Sequence, residues 1–142
     1  MKRRERFIGE AGQAAPMLFI CLLAGIAFLG LAVDGARLFL ARRNIHNAVD
    51  AATLAGASEL DEESFRSGDG TAAQLDPTAA EAAATEALVD SGLPSDAVAE
   101  IHADPLRIEV TVRREVPMIF LRVIGMDTQK VGADARSSPK TR

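Results

Sequence analysis

A run of twenty residues without a charge, residues 14–33, constrains this chain more than any other feature of its sequence. An α-helix needs about 20 apolar residues to cross a hydrocarbon core of about 30 Å. The remainder, residues 34–142, carries 12 Lys and Arg against 18 Asp and Glu, a formal charge of −6. The sequence therefore predicts one transmembrane helix followed by an acidic domain.

The charges at the two ends of the run bear on its orientation. The N-terminal stretch "MKRRERF" carries four basic residues, and Lys and Arg resist translocation. Three arginines follow the run, so the local bias is small, but long domains translocate largely regardless of their charge. We therefore expect residues 1–13 to be cytoplasmic and the domain after the single span to lie outside the cytoplasm.

A cleavable signal peptide is the alternative interpretation of the run. Its apolar core is typically 7–15 residues long and is followed by small residues at the cleavage site. This run is longer, and cleavage after Ala36 would place Asp34 three residues before the cut, while cleavage after Ala32 is little better. We expect an uncleaved anchor in the lipid bilayer, with Asp34 at its outer boundary and Arg37 one turn beyond, within reach of headgroups.

The helical pattern does not stop at this boundary. Apolar residues continue at spacings of three and four, which predicts one helix from about residue 16 to about residue 60, with Pro16 in its first turn and residues 34–60 beyond the membrane. Small side chains, which allow close approach of another helix or sheet, form a stripe there, namely Ala48, Ala52, Ala55 and Gly56. Packing against the chain's own domain and lateral packing against other subunits both remain open, on different faces.

Residues 61–136 have the pattern of a small α+β domain. Asp76 and Pro77 predict the start of a second helix that ends near Gly92. Alternating apolar residues over 106–113 predict a strand, residues 97–103 its hairpin partner, and the segment before residue 137 a third strand. The predicted fold is therefore α+β: a long N-terminal helix, transmembrane in its first half, a second helix and a three-stranded antiparallel sheet, with residues 137–142 as a disordered tail.

Patterns that carry catalytic or binding chemistry are weak in this sequence. His46 and His102 lie 56 positions apart, and the one cysteine, Cys21, lies inside the apolar run. An acidic domain without Trp or Tyr is poorly suited to nucleic acid. We expect no enzyme activity, cofactor, metal or small-molecule substrate. The alternative function is that of a generic anchored binding domain, and such a domain would have a deep pocket.

Two segments resemble the bacterial TadE/TadG-like proteins of the tight-adherence (Flp) pilus-assembly system. The first is "EAGQAAPMLFICLLAGIAFLGLAVDGARLFLARRNIHNAVDAATLAGA", with its Gly-Gln start, apolar helix and "VD-G-R" exit. The second is "VTVRREVPMIFLRVIGMDTQKVGADA". The resemblance implies a pseudopilin-like, single-pass component of the bacterial cytoplasmic membrane. It would be a structural subunit that assembles with pilin-like or pilus-assembly subunits, copies of itself included.

The resemblance also raises the question of processing. Related pilin-like subunits are cut after a glycine, with a glutamate five residues into the mature chain. Here the candidate site lies between Gly12 and Gln13, but the fifth residue after the glycine is Met17. We therefore expect the N-terminus to remain intact.

Overall fold

The computed structural model describes residues 7–61, 66 and 74–139, with side chains from residue 14 onward. The predicted basic N-terminus, the loop after the first helix and the C-terminal tail lie partly outside these ranges. Helix α1 (Phe7–Ala57) is followed by α2 (Pro77–Asp90), β1 (Val98–Asp104), β2 (Arg107–Pro117) and β3 (Thr128–Ser137). A short 3₁₀ helix, Leu121–Ile124, lies in the loop between β2 and β3. The predicted α+β class is confirmed.

Helix α1 begins further toward the N-terminus than predicted. Pro16 lies inside the helix instead of in its first turn. A proline in a helix interior removes one backbone hydrogen bond, which helices in apolar surroundings tolerate when local adjustments satisfy the freed carbonyl. The apolar run is thus preceded by further helical backbone. Within the described residues, α1 alone is long and apolar enough to span a membrane.

The described chain divides into two compact units. One, the helix–loop unit, combines Met1–Arg37 with Met118–Asp127, and the other, the sheet unit, combines Leu38–Pro117 with Thr128–Arg142. Helix α1 therefore contributes its apolar part to the helix–loop unit and its later turns to the sheet unit.

In the sheet unit, the three strands form an antiparallel meander in the order β1-β2-β3. Alternate residues of β2 are fully buried, namely Ile108, Val110 and Val112, as the period of two predicts. They pack into a core with small residues of both helices, among them Ala48, Ala52, Ala80 and Ala84. The small side chains allow the helix backbones to approach closely.

Helix α2 starts as its sequence predicts. Asp76 is the N-cap, and its Oδ1 accepts hydrogen bonds from the backbone N–H groups of Thr78 and Ala79 at 2.9 and 3.1 Å. Pro77 occupies the first turn, where a backbone N–H is not needed. Gly92, which has a φ of 68°, follows the helix in the left-handed conformation that glycine adopts readily.

The face of the sheet that carries Glu109 and Arg136 is polar. These two residues are cross-strand partners, and Arg136 Nη2 donates to Glu109 Oε1 at 2.7 Å. This hydrogen bond, together with the positive charge of Arg136, lowers the pKa of Glu109 below its ordinary value.

Because the pKa of Glu109 is lowered in the folded state, the pair stabilises the fold at neutral pH. We expect this contribution to be lost as pH falls through the folded-state pKa. NMR titration of the Glu109 carboxyl carbon in the full chain in micelles should show a higher pKa in Arg136→Gln. The control, Arg122→Gln, changes an arginine of the β2–β3 loop and should leave the titration unchanged. Identical titration in Arg136→Gln and the wild type would refute this electrostatic coupling.

Candidate functional site

The site with the most specific geometry in the described chain is built around Asp34, in the helix–loop unit. The Asp34 side chain is completely buried, although it directly follows the apolar run. Its Oδ1 accepts the backbone N–H of Ile119 at 3.0 Å, and its Oδ2 accepts those of Phe120 and Leu121 at 2.9 and 2.7 Å. We call this arrangement the Asp34 clasp.

The clasp satisfies backbone donors that would otherwise be left without partners. The first N–H groups of a short helix have no acceptor inside that helix. Phe120 precedes the 3₁₀ helix as its N-cap residue, and its own side chain makes no capping hydrogen bond. A carboxylate is the strongest available acceptor for such groups and has sites enough for all three donors. Asp34 therefore caps the 3₁₀ helix from a position 85 to 87 residues earlier in the chain.

Gly30 provides the second contact between α1 and the loop. It is buried and lies one turn before Asp34, on the same face of the helix. A Cβ at this position would lie 2.6–2.7 Å from three side-chain atoms of Phe120. The absence of a side chain at Gly30 thus lets Phe120 lie directly against the helix backbone.

The loop is also closed on itself. The N–H of Met118 donates to the carbonyl of Asp127 at 2.9 Å, which joins the two ends of the loop. Gly125 ends the 3₁₀ helix with a φ of 89°, and its N–H donates to the carbonyl of Arg122 at 3.0 Å. These bonds make residues 118–127 a compact element attached to α1.

The residues predicted to mark the membrane boundary differ in their surroundings. Asp34 is enclosed by loop backbone, whereas Arg37, three residues later, is only partly buried. The boundary role of both residues remains a prediction. The contact between Asp34 and the loop was not predicted. The sequence signal that points to it is an ionisable residue at the edge of an apolar span, which is a candidate functional residue by default, with a glycine four residues before it.

The small residues of the predicted helix-packing stripe lie in the sheet unit. Ala48, Ala52 and Gly56 are buried there, and Ala55 is partly buried. A Cβ at Gly56 would meet Ile108 Cδ1 and would lie 2.8 Å from the carbonyl oxygen of Ala80. The chain's own sheet and α2 therefore occupy this face of α1.

The remaining predicted positions lie mainly on α1. Gly12 and Gln13 lie within the backbone range of α1, and their side chains fall outside the described part. Cys21 is exposed on the apolar part of the helix. No group of three potential metal ligands occurs among the described residues, and neither His46 nor His102 belongs to one.

The sheet unit carries a surface depression of about 640 Å³. Residues of all three strands line it, including Val98, Arg113 and Lys130. Val98 is exposed, and so is the side chain of Lys130, so the depression is open to solvent on that side. It therefore lacks the enclosed form that is typical of a small-molecule site.

Part of the chain is similar to a known protein family. Residues 12–59, about a third of the chain, match the Tad family model, described as Flp pilus-assembly TadE/G-like. The resemblance predicted from the N-terminal segment is thereby confirmed. No curated protein and no solved structure matches the chain. The matched segment contains the apolar run, Asp34 and the small-residue stripe, and so covers most of α1.

Proposed function

We propose that this protein is a membrane-anchored structural subunit of a Tad/Flp-type pilus or related secretion apparatus, and that it assembles by lateral packing of α1. The observation that carries the proposal is the family match, which falls on the one helix among the described residues that is apolar enough to cross a membrane. The proposed arrangement is a single span in the bacterial cytoplasmic membrane, with a cytoplasmic N-terminus and an extracytoplasmic C-terminal domain. No enzyme activity is proposed.

The surface available for lateral packing is the face of α1 opposite the core. Beyond Asp34, Leu40 and Leu54 are 55% and 68% exposed, and Asn47 and Ala51 between them are exposed as well. At about 100° per residue these four side chains share one face of the helix. Exposed leucines aligned in this way are suited to burial against another helix. This exposed stripe is distinct from the buried small-residue stripe.

A generic anchored binding domain is the second candidate. The open depression on the sheet is the described feature that comes nearest to such a site. Six of its ten lining residues are charged and none is aromatic. The exposed stripe on the family-matched helix favours assembly over solute binding.

Site-specific photocrosslinking in native membranes tests the assembly proposal. In a Cys21→Ser background, a benzophenone attached to Asn47→Cys places the probe on the exposed stripe. We expect adducts larger than the 15.0 kDa chain that mass spectrometry identifies as copies of this chain or other pilus-assembly subunits.

Glu100→Cys is the matched control, because Glu100 is also exposed but lies on β1. It should give few or none of these adducts. Recovery of monomer alone at Asn47, or the same adducts at both positions, would contradict assembly through the exposed stripe. Tight binding of a small solute together with monomer alone would favour the binding domain.

A further inference from the structure

We propose that the β2–β3 loop, Met118–Asp127, is a membrane-interface element whose apolar side chains enter the lipid beside the transmembrane helix. The proposal rests on the proposed anchor, because it requires α1 to span the bilayer. It goes further in assigning a lipid contact to a segment that lies more than 80 residues after the span in sequence. In this proposal, lipid covers the exposed surface of the loop.

The contacts with α1 fix the position of the loop along the helix, and so its depth relative to the apolar run. Asp34 immediately follows the apolar run, and Gly30 lies inside it, about 6 Å earlier along the helix axis at 1.5 Å per residue. Phe120 lies against Gly30, and the backbone of Ile119, Phe120 and Leu121 is hydrogen-bonded to Asp34. If residues 14–33 are in the bilayer, this part of the loop lies beside the last turn of the helix within it.

The loop presents apolar side chains that the protein leaves uncovered. Val123 is 88% exposed and Ile124 is 72% exposed, and three further apolar residues of the loop are exposed, namely Ile119, Phe120 and Met126. Large apolar groups concentrated in ten residues mark an interaction surface. Because Phe120 of this surface lies against Gly30 within the apolar run, the bilayer that would surround the run is the apolar phase that reaches the loop.

The hydrogen bonding of the loop backbone also suits a poorly hydrated environment. An unsatisfied N–H group is costly in lipid, so a non-helical segment must satisfy its donors internally. Asp34 accepts three of them, and the bonds from Met118, Val123, Gly125 and Met126 to loop carbonyls satisfy four more.

The two charged residues of the loop are compatible with this position. Arg122 Nε and Asp127 Oδ1 form an ion pair at 3.1 Å, and both side chains are mostly exposed. A long arginine side chain can reach the headgroup layer while its aliphatic part remains in apolar surroundings.

Tryptophan fluorescence tests the proposal with little background, because the chain contains no Trp and no Tyr. The full-length Val123→Trp variant is reconstituted in phosphatidylcholine–phosphatidylglycerol vesicles with or without brominated acyl chains. We expect a blue-shifted emission and a roughly twofold or larger loss of intensity with bromines near the headgroup end, consistent with shallow insertion. Val123 is so exposed that the substitution should not disturb packing.

Leu22→Trp is the control for the anchor itself, because Leu22 lies well inside the apolar run and is exposed to the surrounding medium. It should be quenched most strongly by bromines placed deeper in the acyl chains. If Leu22→Trp is not quenched, the proposed anchor fails. If Leu22→Trp is quenched while Val123→Trp stays unquenched and accessible to acrylamide, the anchor stands and the interface proposal is wrong.

A double variant, Asp34→Asn with Val123→Trp, examines the role of the clasp. Weakening the clasp should reduce quenching at Val123→Trp and increase its accessibility to acrylamide. Protection of Val123→Trp from acrylamide without quenching by brominated lipid would show that protein covers the loop, and would also overturn the proposal.

Discussion

Replacing Asp34 with alanine is expected to release the β2–β3 loop from α1. The three N–H groups that donate to its carboxylate would lose their acceptor, and the N-cap residue Phe120 makes no side-chain capping hydrogen bond that could replace it. We expect amide hydrogen exchange at Ile119, Phe120 and Leu121 to become roughly tenfold to a hundredfold faster in the full chain. Site-resolved exchange in lipid nanodiscs measures this effect directly.

Two further variants make the experiment specific. Asp50→Ala removes an exposed carboxylate from the same helix and should leave exchange in the loop unchanged. Asp34→Asn keeps the shape of the side chain but replaces one acceptor oxygen with a donor, so it should give an intermediate effect. Wild-type exchange rates in Asp34→Ala would show that the clasp does not hold the loop.

Adding one methyl group at Gly56 should destabilise the sheet unit. A Cβ there would meet Ile108 and would approach the Ala80 carbonyl oxygen at 2.8 Å, and a backbone carbonyl cannot rotate away as a side chain can. Alanine improves helix propensity by about 1 kcal/mol, but overpacking costs about 1–3 kcal/mol and forces the backbones apart. We expect Gly56→Ala to lower the free energy of unfolding, measured by denaturant titration in micelles.

Gly35→Ala is the matched control on the same helix. No atom outside the local helix lies within 4 Å of a Cβ at this position. The variant should therefore be as stable as the wild type or slightly more stable, because only the gain in helix propensity remains. Equal stability of the Gly56→Ala and Gly35→Ala variants would show that the close packing at Gly56 is unimportant.

Local patterns in the sequence predicted the elements of the fold well. The alternation around Ile108, Val110 and Val112 indicates a strand with one buried face, and Asp76 with Pro77 marks the start of α2. Both signals arise from residues close together in the chain. The start of α1 was less predictable, because Pro16 suggests a first turn, whereas the helix continues on its N-terminal side.

The candidate site could be predicted only in part. The position of Asp34 at the edge of the apolar run was clear from the sequence, but its acceptance of three N–H groups depends on a loop 85 or more residues away. Backbone donors carry no sequence signature, so only the fold reveals them. The small-residue stripe was recognised as a packing surface, but the sequence could not distinguish the chain's own sheet from a second subunit as its partner.

The central claim is that α1 remains in the bilayer as an anchor and continues into the domain that follows. Alkaline carbonate extraction of membranes, followed by intact-mass and N-terminal analysis, tests it most directly. The account predicts a membrane-retained chain that still contains residues 14–33, with its N-terminus uncut between Gly12 and Gln13. A chain beginning at Gln13 would refute the intact N-terminus while leaving the anchor in place. A soluble chain that begins after Ala32 or Ala36 would contradict the anchor itself.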